Sequence, residues 1–386
     1  MTNFEANSIT DSINNSFETS EKNARIIAQG GDFYFIKEKL TTADLLEKEK
    51  ERVKKEYQEH LDKIQFLTDS DLEMFTIIEL YDKNLALHSL ETFLLARSKA
   101  ERPLAFNIVL IDIFATEDVT PEQFFRACFL HDVGKVYVPN FILNNEASFH
   151  EIANILNQKL SEGDNDTLAN IARKTGESTK DKTKEELLQI LKKHYIRPVY
   201  VVPVKYLLNE KENIVAKNSY HLNTDFSLMD IIETHEKHSG DILRQAGYEI
   251  EADLAGAHHN YHGRGSNHPK TLEALKLTID SVELLRIADI THALGDSRSY
   301  NKTGFSKPKI WTIILEEVNA GKVSEVMAYL WLEDEVKVFE QDKNNLENLT
   351  IEGQAHLESV KKELVKMYKN ISSEGETEEF MHPKAA

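Results

Sequence analysis

The amino-acid sequence predicts an all-α fold. Apolar residues recur at three- and four-residue intervals along most of the 386 residues, which is the spacing of one face of a helix. One run alone, RPVYVVPVKYLL at 197–208, has the β-branched composition of a strand. No internal repeat is visible, so we expect helices packed on helices. Helical patterns occupy 40–67, 72–100, 121–131, 226–246, 251–259, 270–296, 308–319 and 322–335.

Changes of composition predict how the chain is divided. The first 22 residues carry almost no aliphatic side chains, so we expect them to be disordered. The last residues are again polar. The predicted parts are a disordered segment at 1–22, a helical extension at 23–70, a main domain at 71–335, an acidic helical extension at 336–371 and a polar tail at 372–386.

The first long helix, predicted at 40–67, carries an apolar stripe on a charged background. Thr41 or Thr42 could cap its start. We expect the stripe to pack on the helix's own domain. The alternative is a dimerising or signal-transmitting helix, which would make the protein a homodimer through residues 40–67. The stripe consists of Leu46, Val53, Tyr57, Leu61 and Ile64.

A polar, charge-rich stretch from about 150 to 220 indicates an insertion in the main domain. The run at 197–208 inside it favours a strand, or a hairpin with KENIVAKNSY at 211–220, so the insertion is predicted to add a small β element. An insertion of this length could cover, narrow or gate an active-site mouth.

Composition excludes several classes of partner. The net charge of −19, from 65 acidic against 46 basic residues, argues against a nucleic-acid polymer, which needs many lysines and arginines on its phosphates. A small phosphate ligand stays compatible with this charge. The single cysteine, Cys128, rules out an internal disulfide and favours a reducing cytoplasm. The longest apolar run, at 104–115, is too short to span a membrane, so no membrane partner is expected.

Histidines and aspartates stand in a few short runs between 88 and 302, and these carry the predicted chemistry. Imidazoles with carboxylates suit Fe, Mn, Zn or Ni rather than Ca or Mg. We predict two divalent transition metal ions, with Fe or Mn favoured over Zn or Ni. The runs are LALHSLETFLLA, FLHDVGKVYVPNFIL, IIETHEKHSGDIL, AGAHHNYHGRG and LLRIADITHALGDSRSYNK.

The dipeptide His131-Asp132 is the predicted chemical centre. The two oxygens of an aspartate can bridge two cations while the adjacent histidine binds one of them. Water between two such metals loses its proton near neutral pH and can attack a phosphorus centre, so no protein nucleophile is needed. Lys135 could place an ammonium group against a phosphate oxygen or the leaving group.

The other histidines cannot be assigned as metal ligands one at a time, because each of them alone is more simply explained as a surface or core residue. Adjacent side chains on a helix diverge by about 100°, so His258 and His259 can share one metal only where a helix ends, as Gly263 and Gly265 permit. Alone, such a pair is usually two surface histidines. His88, on an apolar helix, would alone more often be a core histidine.

Two further positions are judged by their surroundings. Asp289 lies within the apolar helix LLRIADITHAL, where a buried carboxylate needs a cation. The run THEKHSGDIL offers two candidate ligands, His235 and His238, and the one that is not a ligand could hydrogen-bond to the ligands instead.

From His88 to about Glu335 the chain resembles the HD-GYP branch of the HD superfamily of metal-dependent phosphohydrolases. HDVGKVYVPNFIL is similar to the family run HD-x-GK-x-x-x-P-x-x-IL, and the run from Asp289 to Lys302 resembles A-D-x-x-D-A-L followed by R-P-Y-R-K. The resemblance implies an all-α HD bundle. It also implies that Arg298 and Lys302 contact substrate phosphate. Within it, one metal would be held by His88, His131, Asp132 and Asp289, and the other by Asp132, His235, His258 and His259.

The chain also departs from the HD-GYP pattern. The family run HHE-x-x-D-G-x-G-Y-P is HHNYHGRGSNHP here, so the GYP tripeptide is lost. His292 replaces the second aspartate of the later run, and Ser239 stands where the family has glycine. Asn84 stands where three-metal members have glutamate, so a binuclear site is expected.

The resemblance implies a metal-dependent phosphodiesterase in which a hydroxide activated by two metals attacks the substrate, and cyclic di-GMP is the family's usual substrate. Two alternatives remain. One is an HD phosphohydrolase acting on another nucleotide. The other is an inactive module that keeps metals and binds a nucleotide or a partner protein.

Overall fold

Helices make up all the regular secondary structure in the part of the chain that the computed structural model describes, residues 43–101, 113–114, 117–145, 147–259, 279–295 and 304–373. The all-α prediction is therefore confirmed. The chain divides into two compact units: one comprises residues up to Leu90 and from Leu130 to Gly256, and the other comprises Glu91–Phe129 and the residues from Ala257 onward. No described helix is long and apolar enough to cross a membrane.

The helices are numbered in chain order, and three short 3-10 helices lie between them. The first thirteen are α1 Ala43–Glu56, α2 Gln58–Leu61, α3 Asp69–Tyr81, α4 Lys83–Ala100, α5 Pro121–Leu130, α6 Asn140–Leu143, α7 Phe149–Glu162, α8 Asn165–Thr175, α9 Lys184–Lys193, α10 Glu210–Asn218, α11 Leu228–Ile232, α12 Thr234–Gln245 and α13 Glu249–Ala255. The others are α14 Ile279–Gly295, α15 Lys307–Asn319, α16 Glu325–Gln341, α17 Lys343–Glu347 and α18 Ile351–Ser373. The 3-10 helices are Val133–Tyr137, Pro198–Tyr200 and Val204–Tyr206.

The predicted helix at 40–67 is broken, which corrects the expectation of one continuous helix. α1 ends at Glu56, and Tyr57 has φ −104° and ψ 15°, outside the helical region. Its ring packs edge-on against Phe75, 5.4 Å away between ring centres. All five stripe residues are buried within this unit, and α1 packs against α3. The stripe is thus used in the chain's own packing, while the homodimer stays a prediction; Thr41 and Thr42 lie outside the described residues.

The insertion builds a small apolar core of its own from α7, α8, α9 and the turn that follows. Each of its helices begins at a residue whose side chain accepts a hydrogen bond from a backbone amide three positions later. The pairs are Ser148 with Glu151, Asp164 with Thr167 and Thr183 with Glu186. The polar sequence therefore still folds, because each helix keeps one apolar stripe. The buried core residues are Ile152, Leu156, Leu160, Ile171, Leu187, Leu191, Val201 and Val202.

The predicted strand or hairpin at 197–220 is wrong. Pro198 and Pro203 lack the amide hydrogen that a central strand donates, and the chain forms two 3-10 turns there instead. The second half of the expected hairpin is α10, which begins at an Asn209–Glu212 capping box. Only an isolated antiparallel bridge links Pro203 to Ser227 in this region.

The second unit packs α14, α15, α16 and α18 on one another. The indoles of Trp311 and Trp331 are almost fully buried in it. The ammonium group of Lys99 is buried as well, 2.5 Å from the Asp334 carboxylate and 2.6 Å from that of Glu335. Two carboxylates around one buried cation satisfy a group that would otherwise be costly to bury.

Candidate metal centre

In the first unit, three histidines surround the Asp132 carboxylate. His88 lies on α4, His131 and Asp132 follow the end of α5, and His235 lies in the first turn of α12. The Nε2 atoms of His88 and His131 are each 3.4 Å from Oδ2 of Asp132. Nε2 of His235 is 3.1 Å from the other oxygen, Oδ1. Each carboxylate oxygen thus faces imidazole nitrogen, and all four side chains are buried.

The Asp132 carboxylate is ionised despite its burial. Burial alone would raise its pKa, but His131, Lys135 and His235 together lower the pKa well below the usual range of an aspartate. The Lys135 Nζ lies 2.6 Å from Oδ2. A buried anion among imidazoles is a suitable ligand for a divalent transition metal.

Gly134 allows the HD turn to lie directly against α12. A Cβ atom at this position would come closer than 3.0 Å to the carbonyl oxygen of His235 and to the amide nitrogen of Ser239, both of which are backbone atoms. The Gly134 amide donates a hydrogen bond of 2.9 Å to the Ser239 hydroxyl. Ser239, which replaces the glycine of the HD-GYP pattern, therefore anchors the turn that carries Asp132.

The orientation of His235 is fixed by the helix that precedes it. Its Nδ1 lies 2.6 Å from the carbonyl oxygen of Ile232 at the end of α11, and only a protonated nitrogen can bond to a carbonyl. Nδ1 therefore donates, so in a neutral imidazole the lone pair of Nε2 lies on the side of Asp132, where it can bind a metal ion.

His238 has different surroundings from His235. Its ring stacks on Tyr137, with 4.7 Å between ring centres. Burial, with a further contribution from Lys237, lowers its pKa to about 4, so the ring is neutral near pH 7. Of the two histidines in THEKHSGDIL, His235 is the one beside Asp132.

In the second unit, the consecutive histidines follow the end of α13, as the sequence predicts for a pair that could share a ligand. The ring centres of His258 and His259 are 4.0 Å apart. Nε2 of His259 is 3.8 Å from Oδ2 of Asp289, which α14 carries. The Asp289 side chain is buried, as expected for a carboxylate within an apolar helix.

Arg286 holds this pair of histidines and was missed by the sequence argument. Its Nη1 donates to the carbonyl oxygens of His258 (2.8 Å) and His259 (2.5 Å). Its Nε donates to Glu317 at 3.2 Å. The indication in the sequence was a charged residue one turn before Asp289 in the apolar run LLRIADITHAL. Arg286 satisfies two carbonyl groups that follow α13.

Of the seven predicted ligands, His88, His131, Asp132 and His235 lie together in the first unit, and His258, His259 and Asp289 lie in the second. Imidazole nitrogens and carboxylate oxygens, mostly buried, fit a divalent transition metal better than Ca or Mg. Of the predicted substrate contacts, Lys135 lies beside Asp132, while Arg298 and Lys302 lie outside the described residues, as does the HHNYHGRG run beyond His259. His292 pairs with the carboxylate of Glu91.

One family comparison bears on this site. The family model of the HD domain matches residues 85–200, a range that contains His88, His131, Asp132 and Lys135. No curated protein and no solved structure matches the chain. The match supports a place in the HD-domain superfamily, whose members are metal-dependent phosphohydrolases. The finer resemblance to the HD-GYP branch stays a prediction.

Proposed function

Since residues 85–200 match an HD domain, we propose that this chain is a metal-dependent phosphohydrolase and, within that class, a phosphodiesterase. The observation that carries the proposal is the environment of Asp132. Its two oxygens face imidazole nitrogens from different parts of the chain, and the neighbouring His131, Lys135 and His235 keep the buried carboxylate ionised. A bridging ligand for two metals needs these properties.

The ligand assignment combines the local geometry with the order of the sequence runs. We assign His88, His131, Asp132 and Asp289 to one metal, and Asp132, His235, His258 and His259 to the other. When bound, two divalent metals supply Lewis acidity at phosphorus and lower the pKa of water. Fe and Mn are our first choice of metal, and Zn and Ni are the alternatives.

The protein's own groups orient the ligand side chains and stabilise negative charge. The Ile232 carbonyl keeps the proton of His235 on Nδ1, so that Nε2 is available as a ligand. The Lys135 ammonium lies against Asp132 and is near enough to stabilise negative charge that develops on a phosphate oxygen. Arg298 and Lys302 remain proposed phosphate contacts.

For the substrate we propose a cyclic dinucleotide such as cyclic di-GMP, on the basis of the HDVGK and later runs. The loss of the GYP tripeptide makes a different nucleotide the second candidate. A module that keeps metals and only binds its ligand is the third. Turnover of a nucleotide panel separates the first two, and binding without turnover identifies the third.

The test uses protein purified anaerobically and loaded with Mn or Fe. Metal content is measured together with hydrolysis of cyclic di-GMP, other cyclic dinucleotides and simple phosphodiesters. Asp132→Ala should lose both metals and all turnover. Asp241→Ala, on α12 where Asp241 pairs with Lys237 at the surface, is the matched control and should keep both. A wild-type protein that takes up no transition metal, or an Asp132→Ala variant with wild-type turnover, would refute the proposal.

A further inference from the structure

Two cationic side chains of the insertion form ion pairs with the short helix that precedes His235. Arg173 and Lys174 lie at the end of α8, and both pair with Asp230 in α11. Nη1 of Arg173 donates to Oδ1 of Asp230 at 2.9 Å, and Nη2 of Arg173 bonds to Oδ2. Nζ of Lys174 lies 2.8 Å from Oδ1 and 3.6 Å from the carboxylate of Glu233.

These ion pairs differ from ordinary surface pairs in their burial. The side chains of Lys174 and Asp230 are only 9% and 8% exposed. Burial alone would raise the pKa of Asp230, but the hydrogen bond from Arg173 and the charge of Lys174 lower it to about 2. The aromatic rings of Phe226 and Tyr200 lie near the Arg173 guanidinium and the Lys174 ammonium, 4.9 and 5.5 Å from the ring centres. The Arg173 side chain is more exposed, at 39%, but its two hydrogen bonds to the buried Asp230 carboxylate restrain that carboxylate in direction as well as distance.

α11 transmits this restraint to His235. Asp230 also closes the capping box of α11 with Ser227. The helix has five residues and ends at Ile232, whose carbonyl accepts the His235 Nδ1 proton. The carboxylate held by the insertion is therefore only two positions before the carbonyl that orients the imidazole. A movement of Asp230 moves that carbonyl with it.

We propose that Arg173 and Lys174 are positioning residues that hold α11 and thereby the imidazole of His235. The insertion at 150–220 then has a role in the metal centre without contributing a ligand to it. The inference rests on the proposed function, because it takes His235 as a metal ligand. Partners that orient a ligating histidine typically change metal affinity by about 10- to 100-fold when removed.

The test is the double variant Arg173→Gln with Lys174→Gln. Lys193→Gln is the matched control, because Lys193 is exposed and pairs with Glu177 inside the same insertion. Metal affinity is measured with Mn by competition against a chromophoric chelator, well below the unfolding temperature. Hydrogen–deuterium exchange of the metal-free proteins is followed in peptides covering 226–236. Should the double variant not fold, Lys174→Gln alone leaves the bidentate Arg173 pair and is tested in the same way.

We expect one metal equivalent to bind about tenfold or more weakly in the double variant. We also expect faster exchange confined to 226–236, with Lys193→Gln behaving as wild type. A double variant that is less stable but binds both metals with wild-type affinity would show that the ion pairs are merely structural, and would overturn the inference alone. A wild-type protein that binds no metal would overturn the proposed function, and the inference with it.

Discussion

Gly134→Ala gives the most direct test of how the HD turn is built. The added Cβ would lie within 3.0 Å of two backbone atoms of α12 and 2.8 Å from the Ser239 hydroxyl. A backbone clash cannot be relieved by a change of rotamer, so the turn must move away from α12. The displacement is on the order of 1 Å, which typically costs about 100-fold in rate when catalytic groups are involved. Overpacking of this kind costs about 1–3 kcal/mol of folding free energy.

The assay for Gly134→Ala combines urea unfolding, metal content and phosphodiester turnover. Both the free energy of unfolding and metal uptake should fall, because Asp132 moves away from His235 as the turn retreats. Gly295→Ala is the control: its Cβ would meet only Ile310 Cδ1, at 3.7 Å, which is an ordinary contact. A Gly134→Ala protein with wild-type stability and metal content would refute the close-packing argument.

Two further variants test separate parts of the molecule. Lys135→Ala should keep both metals, because Lys135 is not a proposed ligand. It should lower kcat by about 100-fold, since one donor that stabilises developing charge is lost. Metal analysis together with steady-state kinetics tests this expectation, and a variant that loses metal would contradict it. Burial raises the pKa of the Glu117 carboxyl from 4.5 to about 6, and the hydrogen bond from Ser281 partly opposes this shift. Because the pKa is higher in the folded state, the contribution of Glu117 to folding stability is fully present below pH 4.5 and is lost as pH rises through 6. This difference in pKa corresponds to about 2 kcal/mol, so Glu117→Gln should reduce the change in the free energy of unfolding between pH 4.5 and 7 by about this amount. If denaturant titrations of the variant gave the same pH dependence as the wild type, Glu117 would not titrate in this range.

Local pattern in the sequence predicts the helices well, because each depends on its own apolar face. The break at Tyr57 escaped prediction, and the contact of its ring with Phe75, eighteen positions away, is not visible in the local pattern. The strand at 197–208 was wrong because β-branched composition outweighed the two prolines, which deny the run its ladder hydrogen bonds.

At the site, too, the sequence pattern does not reveal contacts between residues that are far apart in the chain. The choice of His235 over His238 followed from the resemblance to the HD-GYP pattern, and the structure has His235 beside Asp132 and His238 stacked on Tyr137. Nothing in the local sequence pattern indicates that Gly134 permits a close approach to residues about 100 positions away. Arg286 was missed for the same reason, since its partners are carbonyl groups that no side-chain pattern reveals.

The five-residue helix α11 shows why the insertion cannot simply be removed. Isolated helices shorter than about 12 residues are marginal, so α11 needs restraints from outside itself. Beyond its own Ser227 capping box, Asp230 is held by Arg173 and Lys174, which belong to the insertion. A deletion of 150–220 would remove both cations and leave a buried carboxylate without them, two residues before the carbonyl that orients His235. A shortened chain closer in length to the HD-GYP pattern should therefore bind metal more weakly than the full chain, although every proposed ligand is kept.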